Sequence, residues 1–134
     1  EQYIMLIYCC TQNLESEVIL MGKTFATSRV GCKIIANYND ERSYTLGFSN
    51  EDEAKNFERE LNATQTDFWK NGRDNAVRKK SMYADPLDCS VRVNFDTVNC
   101  TEKWPFKVVL ANVGEMNQFY ADLKFALWGP MPSI

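Results

Sequence analysis

The chain has 134 residues, of which 45% are hydrophobic and 25% charged, and carries a net charge of −3. That length suits one domain with a real core, and the acidic balance argues against a dominant nucleic-acid or anionic-membrane surface. There is no histidine, which removes the most frequent general base, the usual serine and cysteine triads and most zinc sites.

The remaining carboxylates are scattered, and no cluster of residues rises to a catalytic or ligand-binding signature. The expectation is therefore a non-enzyme with no metal and no cofactor. No apolar run approaches the length needed to span a bilayer. The sequence begins at Glu1 without a signal-peptide pattern, and is expected to be a segment cut from a longer protein. Its cysteines are odd in number (Cys9, Cys10, Cys32, Cys89, Cys100) and form no CxxC. A reducing, intracellular compartment, cytoplasm or nucleus, is expected ahead of a secreted one. Two glycosylation sequons, Asn62-Ala63-Thr64 and Asn99-Cys100-Thr101, are read as accidents of an Asn-rich sequence.

In chain order, residues 3–10 (YIMLIYCC) form a continuous apolar run of strand length, suited to burial on both faces. Residues 18–25 predict a second strand, residues 26–30 a short polar connection, and residues 31–38 (GCKIIANY) a third strand. Asn39-Asp40-Glu41-Arg42 reads as a turn. Beyond it Tyr44, Leu46 and Phe48 alternate with Thr45 and Gly47, which predicts a strand paired to its predecessor as a hairpin.

A helix follows. Asn50 is a good N-cap with Glu53 three residues on, the spacing of a capping box. Glu51, Asp52 and Glu53 place negative charge at the positive end of the helix dipole. Ala54, Phe57, Leu61 and Phe68 form the apolar stripe.

Residues 67–82 are the most basic part of the chain. Lys70, Arg73, Arg78, Lys79 and Lys80 lie between Trp69 and Tyr83, with Asn71-Gly72 as a turn signal. Residues 77–82 allow one weak strand. After the turn at Asp85-Pro86, residues 89–98 alternate cleanly, with Val91, Val93 and Phe95 on one face and Arg92, Asn94 and Asp96 on the other. Residues 104–111 predict the next strand, Pro105 standing near its start where a missing amide is tolerated. The last helix starts at Val113, carries Met116, Phe119, Tyr120, Leu123, Ala126 and Leu127, and stops at Gly129-Pro130.

This second strand–helix unit matches the first in spacing. Asn112, Glu115, Phe119 and Leu123 each lie 62 residues after Asn50, Glu53, Phe57 and Leu61. The class is α+β: an antiparallel sheet of six to seven strands with two helices, in the order ββββα–(β)ββα, forming a single domain over 1–134. The matched spacing reads either as an internal pseudo-repeat over 1–66 and 67–128 or as two unrelated strand–helix units that share caps and stripes.

The run from Tyr44 to Phe57, YTLGFSNEDEAKNF, resembles the last strand and closing helix of PH-like domains. Those of the EVH1 and Ran-binding kind end in the same order: aromatic–x–Leu–x–Phe, an acidic cap, then Ala–x–x–Phe. There the helix closes the domain after seven strands, whereas here it follows four. The resemblance implies either a PH-like barrel with an inserted helix or two pseudo-repeated sheet-plus-helix halves, a layout similar in outline to tandem polo boxes and PUR repeats. It also implies recognition of a protein or peptide rather than catalysis.

The function expected is a protein–protein interaction module of a larger scaffold or adaptor, with Trp69, Trp104 and Trp128 as aromatic anchors. The alternative is binding of single-stranded nucleic acid or a phosphoinositide through Trp69, Lys70, Arg73, Arg78, Lys79, Lys80 and Tyr83. Homo-oligomerisation through an edge strand or the last helix is a third possibility.

Overall fold

The structure, a computed structural model, describes residues 24–71, 80–96 and 101–129. Its elements are β1 (Phe25–Val30), β2 (Lys33–Tyr38), β3 (Arg42–Gly47), α1 (Glu51–Asn71), β4 (Ser81–Asp85), β5 (Ser90–Asn94), β6 (Phe106–Val109) and α2 (Val113–Trp128). The six strands form one sheet in the order β1-β2-β3-β6-β5-β4, and every pairing is antiparallel. The fold is α+β. Among the described residues the sheet is open, with β1 and β4 at its edges.

Turn chemistry sets the hairpins. Gly31, at φ 63, sits in the two-residue loop between β1 and β2. Asn39 and Asp40 both have positive φ, 51 and 61, as a type I′ turn requires, and the Glu41 N–H donates to the Tyr38 carbonyl at 2.8 Å. Both helices start on the expected caps. Asn50 Oδ1 accepts the Glu53 N–H, and Asn112 Oδ1 accepts the Glu115 N–H, each at 2.8 Å. Glu53 reaches back to the Ser49 N–H at 3.1 Å, and its other carboxylate oxygen accepts the Lys107 N–H of β6 at 3.3 Å. One carboxylate thus finishes a cap and moors α1 to the far half of the sheet.

Period-two alternation in the strands and the helical stripes meet in a single core. Ile34, Ala36, Tyr44, Leu46, Val91, Val93, Phe106 and Val108 pack with Ala54, Phe57, Leu61, Met116, Phe119 and Leu123. Both helices therefore cover the same face of the sheet. Phe57 and Phe119 are fully buried. Phe57 contacts the Phe48, Phe95 and Phe106 rings, and Phe119 contacts Phe25 and Tyr44. The opposite face carries Lys33, Asn37, Ser43 and Thr45, all exposed.

The sheet order makes the two halves mirror one another about its centre. β3 and β6 pair through Gly47 and Val109, which are themselves 62 residues apart in sequence. The Phe48 N–H donates to the Cys32 carbonyl at 3.0 Å, and the Leu110 N–H donates to the Cys89 carbonyl at 2.9 Å. Cys32 and Cys89 thus occupy corresponding turns. Counting on from them, Tyr38 corresponds to Phe95, while the offset of 62 pairs Tyr44 with Phe106.

Several sequence expectations need correction. Residues 26–30 are not a polar connection but most of β1. Their helix-facing side chains, Thr27 and Arg29, are polar yet satisfied. Thr27 donates to Glu58 at 2.9 Å, and Arg29 pairs with Glu51 at 2.8 Å. Helix α1 continues past Phe68 to Asn71, because Phe68 is buried and Trp69 packs against α2. Cys32 lies in a turn rather than a strand. The weak strand placed at 77–82 is β4, shifted to Ser81–Asp85. The strand at 3–10 and most of that at 18–25 lie outside the described residues.

Candidate functional site

The nine residues singled out from sequence separate into two groups and a remainder. Arg73, Arg78 and Lys79 lie outside the described residues. Trp69, Lys80 and Trp128 gather between the helix C-termini, with exposed Lys70 beside them on α1. The Trp69 Nε1–H donates to the Ala126 carbonyl at 2.9 Å, and its ring stacks on Phe125. The Lys80 ammonium is buried over the Phe68 and Trp128 rings, 5.0 and 5.5 Å from their centroids. This group is helix–helix and helix–sheet packing. Lys80, expected to meet phosphate, instead faces aromatic rings.

Tyr83 and Trp104 form the second group. In β4, Met82 and Ala84 pack on the core, so Tyr83 points to the opposite face. Trp104, just before β6, meets it edge-on at 5.0 Å between centroids. Lys103 places its ammonium 5.9 Å from the Trp104 ring. Tyr83 is 37% exposed.

The register extends this pair into a row. Tyr83 stands opposite Arg92, and Arg92 opposite Lys107. Asp88, in the turn before β5, binds both cations, with Arg92 at 3.1 Å and Lys107 at 3.0 Å. The Ser90 hydroxyl also donates to it. That hydrogen bond first, then the one from Lys107, holds the Asp88 carboxyl far below the usual carboxylate range. Sequence reasoning missed Asp88, because its partners come from β5 and β6. Its only local sign is the Asp88-x-Ser90 spacing.

Among the described residues, the edge beside this row is open. The Leu110-to-Cys89 bond fixes the phase of the ladder, so Val91 and Val93 turn their backbone groups towards β6 and Arg92 and Asn94 turn theirs towards β4. Ser81, Tyr83 and Asp85 therefore bond to β5, and the backbone groups of Met82 and Ala84 face outwards. Leu87, at the following turn, is 94% exposed.

The opposite edge differs. Gln65 on α1 is buried, and its side-chain amide binds Phe25 as a neighbouring strand would, accepting the N–H at 3.0 Å and donating to the carbonyl at 2.7 Å. Asn62 adds a bond to Thr27 at 3.2 Å. A cleft of about 390 Å³, lined by Thr24, Asn37, Asn39, Asn62 and Gln65 among others, lies beside this clamp.

A buried polar knot ties the halves together beneath the sheet. Asp122 on α2 takes two bonds from Arg42, at 2.7 and 2.8 Å, and one from the Tyr44 hydroxyl at 2.6 Å. Burial, then that bond to Asp122, raises the Tyr44 pKa. Burial, then the Asp122 charge, pushes Tyr38 up to about 12.

Among the described residues no group of three or more potential metal ligands occurs, and no helix is long and apolar enough to cross a membrane. No family model matches the chain, and neither a curated protein nor a solved structure matches it.

Proposed function

We propose that this chain is a non-catalytic protein–protein interaction module of a larger scaffold or adaptor, and that it receives its partner on the open face and edge of the β4–β5–β6 half. The observation that carries this reading is the Tyr83–Trp104 pair, held at 5.0 Å on the sheet face away from α1 and α2 beside an outward-facing strand. Aromatic anchors next to backbone groups turned away from the sheet supply both the contact area and the hydrogen bonds that partner recognition uses. The nucleic-acid alternative draws less support. The Arg92 and Lys107 cations that flank the pair are bound to Asp88, and Lys80 is buried over rings. The free thiols of Cys32 and Cys89 suit a reducing compartment inside the cell.

The test is quantitative affinity capture with the wild-type chain and a Tyr83→Ser/Trp104→Ser variant of matched circular dichroism. Partners held by the wild type and lost by the variant support the reading. An unchanged captured set, or a labelled single-stranded oligonucleotide bound tightly at low salt, overturns it.

A further inference from the structure

Resting on that reading, we infer that the partner at the β4 edge is a second copy of this chain, joined by antiparallel pairing of β4 with β4 about a two-fold axis at Tyr83. Three observations carry this.

The first is register. Met82 and Ala84 turn their N–H and C=O groups outwards, flanking Tyr83 symmetrically. Two β4 strands centred on Tyr83 set Met82 opposite Ala84 of the second copy, and the reverse, as hydrogen-bonded pairs. Tyr83 then faces Tyr83 of the second copy across a non-hydrogen-bonded pair, with both rings on the open face beside Trp104. Pro86 ends the strand after Asp85, so the centred register is the one that uses its whole length.

The second is side-chain complementarity. In this register Ser81 lies opposite Asp85 of the second copy, a hydroxyl donor against a carboxylate, and no like charges meet. The strand SMYAD holds no Lys, no Pro and no inward-pointing charge, the devices by which edges avoid pairing.

The third is closure. The β1 edge is braced by Gln65, Glu58 and Glu51 of α1. With β1 braced and β4 open among the described residues, isologous pairing stops at two copies instead of growing into a filament. The chain already contains such a joint, since β3 and β6 meet antiparallel with corresponding residues Gly47 and Val109 opposed.

The experiment is sedimentation equilibrium of the full chain from micromolar to millimolar concentration, with hydrogen exchange read in parallel. The average mass is expected to rise from 15.5 kDa towards twice that value, and exchange at the Met82 and Ala84 amides to slow as it does. Tyr83→Lys and Tyr83→Glu, which place like charges face to face at the axis, are each expected to remain monomeric, while an equimolar mixture associates again. Ala84→Pro, which deletes an outward N–H and leaves the β5 ladder intact, should also hold the chain monomeric. A monomer at every concentration overturns the inference, as does self-association that persists in Tyr83→Lys and Ala84→Pro. In either case, a different protein captured through Tyr83 and Trp104 leaves the interaction reading standing and removes only the second copy as the occupant.

Discussion

β1 and β4 hold corresponding places at opposite ends of the sheet, yet α1 clamps β1 while nothing equivalent among the described residues clamps β4. Gln65 fills the Phe25 backbone bonds, and Glu58 and Glu51 hold Thr27 and Arg29. Advanced by 62, those helix positions become Leu127, Tyr120 and Val113, none of which offers an amide or a carboxylate. The difference shows how one architecture can be braced at one end and, among the described residues, left unbraced at the other by a handful of side chains. The ladder is the same, and polar residues on the neighbouring helix decide whether it can be extended.

The interior differs as well. The first half buries Tyr38 and Tyr44 where the second buries Phe95 and Phe106. The two hydroxyls bring Asp122 and Arg42 with them. The first half is thus locked to α2 by polar bonds, and the second is packed by hydrocarbon and ring contacts alone at the matching positions.

The largest expected effects test whether the halves stand or fall together. Phe57→Ala and Phe119→Ala remove corresponding rings, each with no exposure, and each is expected to cost about 3–5 kcal/mol in urea unfolding. Both variants should lower the midpoint of one shared transition. A separate transition for each half would break the comparison by making the halves independent.

Next in size is the polar knot. Asp122→Ala leaves the Tyr44 hydroxyl buried without its acceptor, at a cost of about 1–3 kcal/mol. Adding Tyr44→Phe, which imitates the second half, should recover part of that loss. A double-mutant cycle with zero coupling would deny the 2.6 Å bond any energetic role.

Gln65→Ala should cost about 1 kcal/mol, because water replaces the lost amide at an edge. Its sharper consequence is a second open strand. Open-ended aggregation that grows with concentration is expected in this variant, whereas the parent stops at two copies, as read by light scattering. Equal scattering from both would show that the amide clamp does not protect the edge.

The smallest effect is spectroscopic. Tyr38 has its pKa raised in the folded state to about 12, and Tyr44 is raised as well. The stability this represents is fully present below pH 10, the ordinary tyrosine value, and is lost as pH climbs from there through 12. Phenolate absorbance should therefore show a late-titrating class that Tyr38→Phe reduces. Because Phe95 and Phe106 do not titrate, alkaline loosening should begin in the first half, as amide exchange would report.

Much of this layout could be read in the amino-acid pattern. Asn50 and Asn112 announced both caps, the Phe57 and Phe119 stripes announced both helices, and Asn39-Asp40 announced the hairpin turn, because each signal acts over a few residues. β1 was hidden because Thr27 and Arg29 face the helix as polar side chains, and their justification lies on α1. The partners of Lys80 were equally remote. Tyr83 and Trp104 were both picked out as single aromatics, but only cross-strand register sets one ring against the other. Asp88 gave almost no sign, since its two cations come from different strands. What hydrophobic periodicity cannot convey is which polar groups will meet across the sheet.

The brevity of the middle joint bears on how the molecule bears load. Outer strands are zipped along their length, whereas β3 and β6 share the single registered pair of Gly47 and Val109. Pulled from its two ends in an optical trap, the molecule should tear first down this seam, with the Glu53 tether and the Asp122 knot acting as the last rivets before either hairpin gives way.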